Sequence, residues 1–505
     1  MVFLLLAAAG CYKDLSTEAT MTLPDLVILG LEPQLDVVYG QEISVSVQAY
    51  MGEKKGSDFE YLWEVDVNAG RTDNRAEIGT EPSLNYKVAN TPSSTPYALT
   101  VRVTDPETGL SGMRTCFLHV STSLGEGLLV AYTLGDGETS EIDIVATPAI
   151  TYGYEGDPRI TRGLYGLSND GNPFPERITC LLQTCDTQNG VYDSHRILVG
   201  STNHVTALNP LTLKAQEQDS QLFSSTTITE FGPSVMFNCA GYTSYIIIGD
   251  SGYAHICSID NVYAKIAKPA GIPVSFSPYN VGYAATDQGR FILFDNGFYE
   301  ILAYKLLGGG LQKMDITGML DFSVEGARSL MGGCLRGMRP AFLIQDRNGL
   351  YHIVITELGK QSDSFFSVPF EGAEIEDAVS IAFCDNGDLF YYATDRSIYA
   401  AVISGNTSQT HKLTWTPASP DERITDIKQY TQAWYGTQQL SASDYSYILP
   451  THRSMLIITT YNDKTGEGKF YLRGFNVSTG TFTFSGDYGS YGGFGEITAI
   501  TPTLR

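Results

Sequence analysis

The sequence predicts an all-β chain, and three observations carry that prediction. A strand, turn, strand unit recurs seven times after residue 124. The recurrence has the spacing of small four-stranded sheets, and the composition favours strands over helices. The turns are Gly135-Asp136-Gly137, Gly200-Ser201-Thr202, Gly249-Asp250-Ser251, Asp295-Asn296-Gly297, Asp346-Arg347-Asn348, Asp395-Arg396 and Asn462-Asp463. Each follows an apolar run, such as Tyr245-Ile246-Ile247-Ile248, and precedes a strand-like one, such as Leu350-Tyr351-His352-Ile353-Val354, which are hairpin signals. Successive turns in the middle of the series begin 46 to 51 residues apart, the length of one blade with its loops. The first and last gaps, 65 and 67 residues, locate insertions. Seven units of this kind predict a seven-bladed β-propeller over 124–505, because radial repetition buries both faces of every blade and leaves only short edges. The chain has 51 Gly, 31 Tyr and 23 Phe with few Lys and Arg, which suits turn-rich β structure.

Blades are expected near 127–147, 178–222, 234–270, 279–310, 328–372, 376–415 and 424–485, although the same turns also accommodate six or eight. The spare run Glu496-Ile497-Thr498-Ala499-Ile500 is expected to pair with the first blade and close the ring, since an unpaired terminal blade would fray.

Residues 1–11, Met1-Val2-Phe3-Leu4-Leu5-Leu6-Ala7-Ala8-Ala9-Gly10-Cys11, form an apolar stretch ending in small residues before a cysteine. This resembles the end of a bacterial lipoprotein signal peptide with its lipobox, and the resemblance implies acylation of Cys11 and a membrane anchor made of several acyl chains. Ala8 stands where Leu is usual, and no Lys or Arg precedes the stretch, so a start a few residues upstream is expected. Residues 12–23 are polar and read as a tether.

Residues 24–121 read as a separate β-sandwich. Ile43, Val45, Val47 and Ala49 alternate with polar residues, as a strand with one buried face requires. Trp63, inside Tyr61-Leu62-Trp63-Glu64-Val65, is expected at the centre of the core. The runs Tyr97–Asp105 and Met113–Val120 form a hairpin around Pro106-Glu107-Thr108-Gly109. That order resembles the PKD and related immunoglobulin-like domains, with Glu64-Val65-Asp66 standing where those domains often carry Gly-Asp-Gly.

Charge and motifs narrow the function. The net charge is −24 and no Lys/Arg cluster of the kind that neutralises phosphates occurs, which argues against a nucleic-acid partner. No apolar run reaches the roughly 20 residues of a spanning helix. Beyond Cys11, the cysteines Cys116, Cys180, Cys185, Cys239, Cys257, Cys334 and Cys384 lie mostly in apolar strand runs and read as buried thiols. Cys180 and Cys185 could bridge if a turn separates them. No Cys-x-x-Cys, His-Glu-x-x-His, Gly-x-Ser-x-Gly or phosphate-cradling glycine loop is present, and the seven histidines are scattered singly, so no metal, cofactor or catalytic residue is expected. Two acidic clusters, Glu371, Glu374, Glu376 and Asp377, then Asp421 with Glu422, read as a solvated rim, while paired funnel carboxylates would be needed for a propeller hydrolase or lyase. Asp346-Arg347-Asn348-Gly349 reads as a plain turn without the closing carboxylate of a calcium loop.

The candidate contact residues are aromatic and sit in the insertions and the tail. They are Tyr152, Tyr154 and Tyr165 in the first insertion, Tyr430, Trp434, Tyr435, Tyr445 and Tyr447 in the last, and Tyr488 and Tyr491 before the closing strand. Such rings give large contact area at little rotamer cost, on sugars and peptides alike.

Taken together, lipobox, PKD-like sandwich and long β-repeat region resemble the PKD-like lipoproteins of Bacteroidota. That resemblance implies an outer-membrane, surface-exposed, non-catalytic accessory lipoprotein. Its partners would be a SusC-like barrel and a SusD-like lipoprotein of a nutrient importer, and it would bind or position a peptide-like substrate. A glycan-binding lipoprotein and a propeller glycoside hydrolase or lyase are the alternatives.

Overall fold

The computed structural model describes residues 24–71, 74–90, 95–121, 126–184, 196–210, 213–223, 230–238, 244–249, 254–258, 281–283, 290–295, 300–307, 310–314, 316–318, 327–337, 339–357, 363–432 and 448–503. The chain divides into two compact units between residues 123 and 124.

The first unit packs three small sheets around one core. Its five-stranded sheet runs Gln34–Val38, Ser111–Ser121, Tyr97–Thr104, Glu60–Asp66, Arg75–Gly79, with the first pair parallel and the rest antiparallel. Trp63 is completely buried in it beside Leu99, Val101, Cys116 and Leu118, and its indole N–H donates to the Glu81 carbonyl at 2.8 Å, so the ring's one polar atom is satisfied. The Tyr97–Thr104 hairpin turn is fixed by Asp105, whose carboxylate accepts from Thr108 Oγ1 at 2.6 Å and from Lys54 Nζ at 2.8 Å; Gly109 supplies the left-handed residue at φ 71°. The alternating run from Ile43 is two strands rather than one. Glu42–Ser46 pairs with Ser83–Lys87, while Gln48–Met51 pairs with Val27–Leu29, and the switch occurs at Val47. Ile43 and Val45 are accordingly half-buried, and Val47 and Ala49 buried.

Seven sheets follow one another along the second unit, among the described residues. The first consists of Glu496–Thr503, Gly127–Thr133, Ser140–Ala146 and Arg159–Thr161, in that spatial order. The others begin with Ile178–Thr184, Pro233–Asn238, Val281–Tyr283, Arg328–Leu335, Ser380–Cys384 and Glu422–Gln429, and five of the six meander outward from that strand. In the fifth, a further strand, Ile316–Gly318, adds parallel to Asp363–Phe370 on the far side. Every predicted turn falls between the second and third strand of its sheet.

Side-chain alternation shows how the sheets stack. Leu129 and Ala131 join a core with Ile197 and Leu208 of the second sheet, whereas Leu128 and Val130, one residue away, join Met455 and Phe470 of the seventh. Likewise Leu343 packs with Phe390 of the sixth sheet, but Phe342 and Ile344 with Ile292 and Phe294 of the fourth. Strands buried on both faces must read as unbroken apolar runs, which is why these runs do not alternate in polarity. Cores also join the second sheet to the third and the sixth to the seventh. The C-terminal strand Glu496–Thr503 pairs antiparallel with Gly127–Thr133, as expected, and completes the first sheet from the far end of the chain. The arrangement is propeller-like.

Two boundaries shift. The first blade extends to Thr161, because part of the presumed insertion is its fourth strand, and the seventh reaches Phe494 through the long strand Phe482–Phe494. Of the cysteines, Cys116 and Cys384 are buried free thiols, Cys334 is also buried, and burial pushes the Cys116 thiol up to about 11. Cys180 is half-buried beside the Pro233 carbonyl; Cys185 and Cys239 lie outside the described residues, as does the side chain of Cys257.

Candidate functional site

The strands that begin the sheets pack on one another: Ile178–Thr184 on Glu496–Thr503 and on Pro233–Asn238, Arg328–Leu335 on Val281–Tyr283 and on Ser380–Cys384, and the last on Glu422–Gln429. The N-terminal ends of five of them, at Ile178, Arg328, Ser380, Glu422 and Glu496, converge on a cavity of about 910 Å³, a volume suited to a small ligand. Three of those ends carry an arginine, Arg177 just before its strand, Arg328 as the first residue and Arg423 as the second, and all three line the cavity. Arg177 and Arg423 grip one carboxylate between them, Glu496 of the closing strand, at 3.0 Å and 3.5 Å. The ion-paired trio spans sheets two, one and seven. Arg423 also pairs with Asp463 at 3.1 Å and lies over the Tyr461 ring.

Deeper in the wall, Asp426 accepts from Ser380 Oγ at 2.6 Å and pairs with Lys428 at 3.2 Å. Thr179 donates to the Pro233 carbonyl, and Thr425 shares a hydrogen bond with Thr459. Thr498 Oγ1 is buried and has no hydrogen-bond partner among the described residues. A mixed rim follows on the sheet five and six side, formed by Arg328, Tyr351, Glu376 and the half-exposed Val379. Burial and the nearby Glu376 raise the Tyr351 phenol, while Arg328 opposes them.

Part of the cavity wall carries a repeated tetrapeptide that the hairpin count passes over. Glu-Arg-Ile-Thr occurs twice, at 176–179 and 422–425, each time at the start of a sheet. In both copies the Arg lines the cavity and the Glu anchors the blade behind it. Glu176 accepts from Ser201 Oγ at 2.6 Å and from the Asn203 N–H, and Glu422 accepts from Tyr471 Oη at 2.8 Å and from Thr460. Of the acidic run at 371–377, Glu376 lines the cavity.

The aromatic candidates go elsewhere. Tyr165, Tyr430 and Tyr491 are corrected to core residues. Tyr165 packs edge-on against Phe174, Tyr430 is buried with its hydroxyl on the Ile150 carbonyl at 3.3 Å, and Tyr491 stacks on Phe470 and donates to the Tyr488 carbonyl at 2.8 Å. Tyr152 and Tyr154 are half-buried: the Tyr152 N–H donates to Glu126, and Tyr154 Oη donates to the Asp157 carbonyl. Tyr488 is 37% exposed. Cys11, Trp434, Tyr435, Tyr445 and Tyr447 lie outside the described residues.

What the first insertion and the tail do share is a latch. Arg162 pairs with buried Asp143 at 2.9 Å, donates to the carbonyls of Gly492 and Gly493, and lies 4.3 Å from the Phe494 ring centroid. Beside it, Glu141 accepts the N–H groups of Ile142, Tyr165 and Gly166. Burial raises both carboxyls above their ordinary range. The same holds for Asp219, which binds His204, and for Asp385, paired with Arg453. None of these four lines the cavity.

No family model matches this chain, and no curated protein matches it in sequence. Among solved structures it is similar to a quinonprotein alcohol dehydrogenase-like protein from Bacteroides thetaiotaomicron, at 13% identity over 94% of this chain and 99% of that one, TM-score 0.39. It is also similar to apo AztD from Citrobacter koseri, at 10% identity over 88% and 98%, TM-score 0.37. A third, the WD40 domain of SCAP from fission yeast, shares 8% identity over 65% and 72%, TM-score 0.36. Identities at this level carry no activity or ligand across.

Proposed function

We propose that the protein is a non-catalytic binding lipoprotein whose second unit, a seven-bladed propeller, captures a polar ligand in the mouth lined by Arg177, Arg328 and Arg423. The cavity at the convergence of the sheet-starting strands is the observation that carries this reading. Two of its carboxylates are already engaged by cations, Glu496 by two guanidinium groups and Asp426 by Lys428. A general acid needs a carboxyl kept protonated. The carboxyls that burial raises, Glu141, Asp143, Asp219 and Asp385, are bound into the sheets away from the cavity, which supports binding over hydrolysis.

The lipobox-like segment ending at Cys11 and the PKD-like sandwich support placement at the outer membrane, lipid-anchored and facing outward. In that setting the protein serves a SusC/SusD-type importer as an accessory that binds or positions peptide-like substrate. The test is a mild-detergent pull-down of the tagged lipoprotein from outer membranes, with mass spectrometry of everything that co-purifies. Recovery of a SusC-like barrel with a SusD-like lipoprotein, and of short peptides, is the expected result. Recovery of the protein alone would overturn the importer role, and co-purified glycans would replace peptide as the ligand class.

A further inference from the structure

Among the described residues, six charged side chains line the cavity: Arg177, Arg328, Arg423, Glu376, Asp426 and Glu496. Four of them are neutralised within the protein, since Arg177 and Arg423 hold Glu496, and Asp426 holds Lys428 and the Ser380 hydroxyl. The remaining two are not. Arg328 donates through Nε to Gln345 Oε1 at 2.9 Å, and its two terminal nitrogens have no partner among the described residues. Among the same residues the Glu376 carboxylate has neither an ion pair nor a hydrogen bond. The two charges form no ion pair with each other among the described residues, and both line the wall with Tyr351, whose phenol burial and Glu376 raise and Arg328 lowers. Leu330, Met331 and Val379, the last 50% exposed, add apolar surface to the same wall.

A purely anionic ligand would satisfy Arg328 and meet repulsion from Glu376; a purely cationic one would meet the reverse. A molecule carrying both charges, joined by an apolar body, satisfies the whole wall. From this juxtaposition we infer that the cavity binds zwitterionic short peptides with apolar side chains, the free carboxylate on Arg328 and the free ammonium on Glu376. This rests on the binding reading above and adds recognition of both peptide termini to it. Guanidinium suits the first task because its paired N–H donors match a carboxylate.

The test uses the full chain and isothermal titration calorimetry with di-, tri- and tetraleucine, each free, N-acetylated, C-amidated and doubly capped. Free peptide of at least one length binds, each single cap weakens it at least tenfold, and both caps abolish it. Arg328→Gln weakens the free peptide at least tenfold but leaves the already weakened C-amide form unchanged, and Glu376→Gln does the same toward the N-acetyl form. Both side chains are exposed, so the variants are expected to keep the parent melting curve, which circular dichroism checks. Capped and free peptides binding alike would overturn terminus recognition while leaving a peptide-binding protein. Absence of binding by every form would overturn this inference together with the peptide reading.

Discussion

At the scale of single residues, buried polar groups decide more here than exposed ones. His452 shows this: its Nδ1 accepts the Gln432 N–H at 3.0 Å, and burial, with Arg453 beside it, lowers its pKa from 6.5 to about 4. A histidine so held is neutral when folded and protonated when unfolded through the window from pH 6.5 down to about 4. The unfolded state therefore binds more protons there, and stability present above pH 6.5 is lost as the pH falls toward 4. Replacing it by Asn keeps an acceptor near Nδ1 and removes the titration. Between pH 7 and pH 4 the parent should lose about 3 kcal/mol more than His452→Asn in urea unfolding. Equal losses would show that His452 does not titrate in this way. The aromatic candidates teach the complementary lesson. Tyr165, Tyr430 and Tyr491 carry the composition of a binding surface, but Tyr165 packs its ring on Phe174 while Tyr430 and Tyr491 supply a donor to a carbonyl at a seam, and a one-dimensional pattern does not separate the two uses.

Among elements, the closing strand ties the end of the chain to the first sheet of the second unit. Glu496–Thr503 supplies Ile497, Ala499 and Ile500 to the cores on either side of the first sheet, and without it Gly127–Thr133 would become an exposed edge with a buried composition. Its entry is tight: a Cβ at Gly495 would run into the Thr133 carbonyl. Truncation after Gly495 should abolish the cooperative thermal transition of residues 124–505 and lead to aggregation, followed by circular dichroism and size exclusion. A truncated chain that still melts cooperatively would mean that the first sheet closes by other means. The turns and this strand were readable because hairpin chemistry is local. The Arg162 latch was not, since its partners lie about 330 residues further along the chain.

In the whole molecule, two units have separate cores, one drawn from residues 28–120 and the others from residue 128 onward. Calorimetry should therefore resolve two transitions. Trp63→Ala, which opens a cavity at the centre of the first core and costs about 3–5 kcal/mol, should lower or erase one transition and leave the other in place. A shift of both by the same amount would show that the units unfold as one. By itself the sequence determined that the chain is all β, that hairpins recur in a regular series, and that its last strand is spare. Those features are written in residues adjacent along the chain, where turn chemistry and apolar runs act. Only the tertiary structure decided which side chains share a cavity. Arg177, Arg328, Arg423 and Glu496 lie at or beside the starts of four strands scattered over more than 300 residues, and they share one cavity because stacking the apolar runs face to face brings those strand ends together.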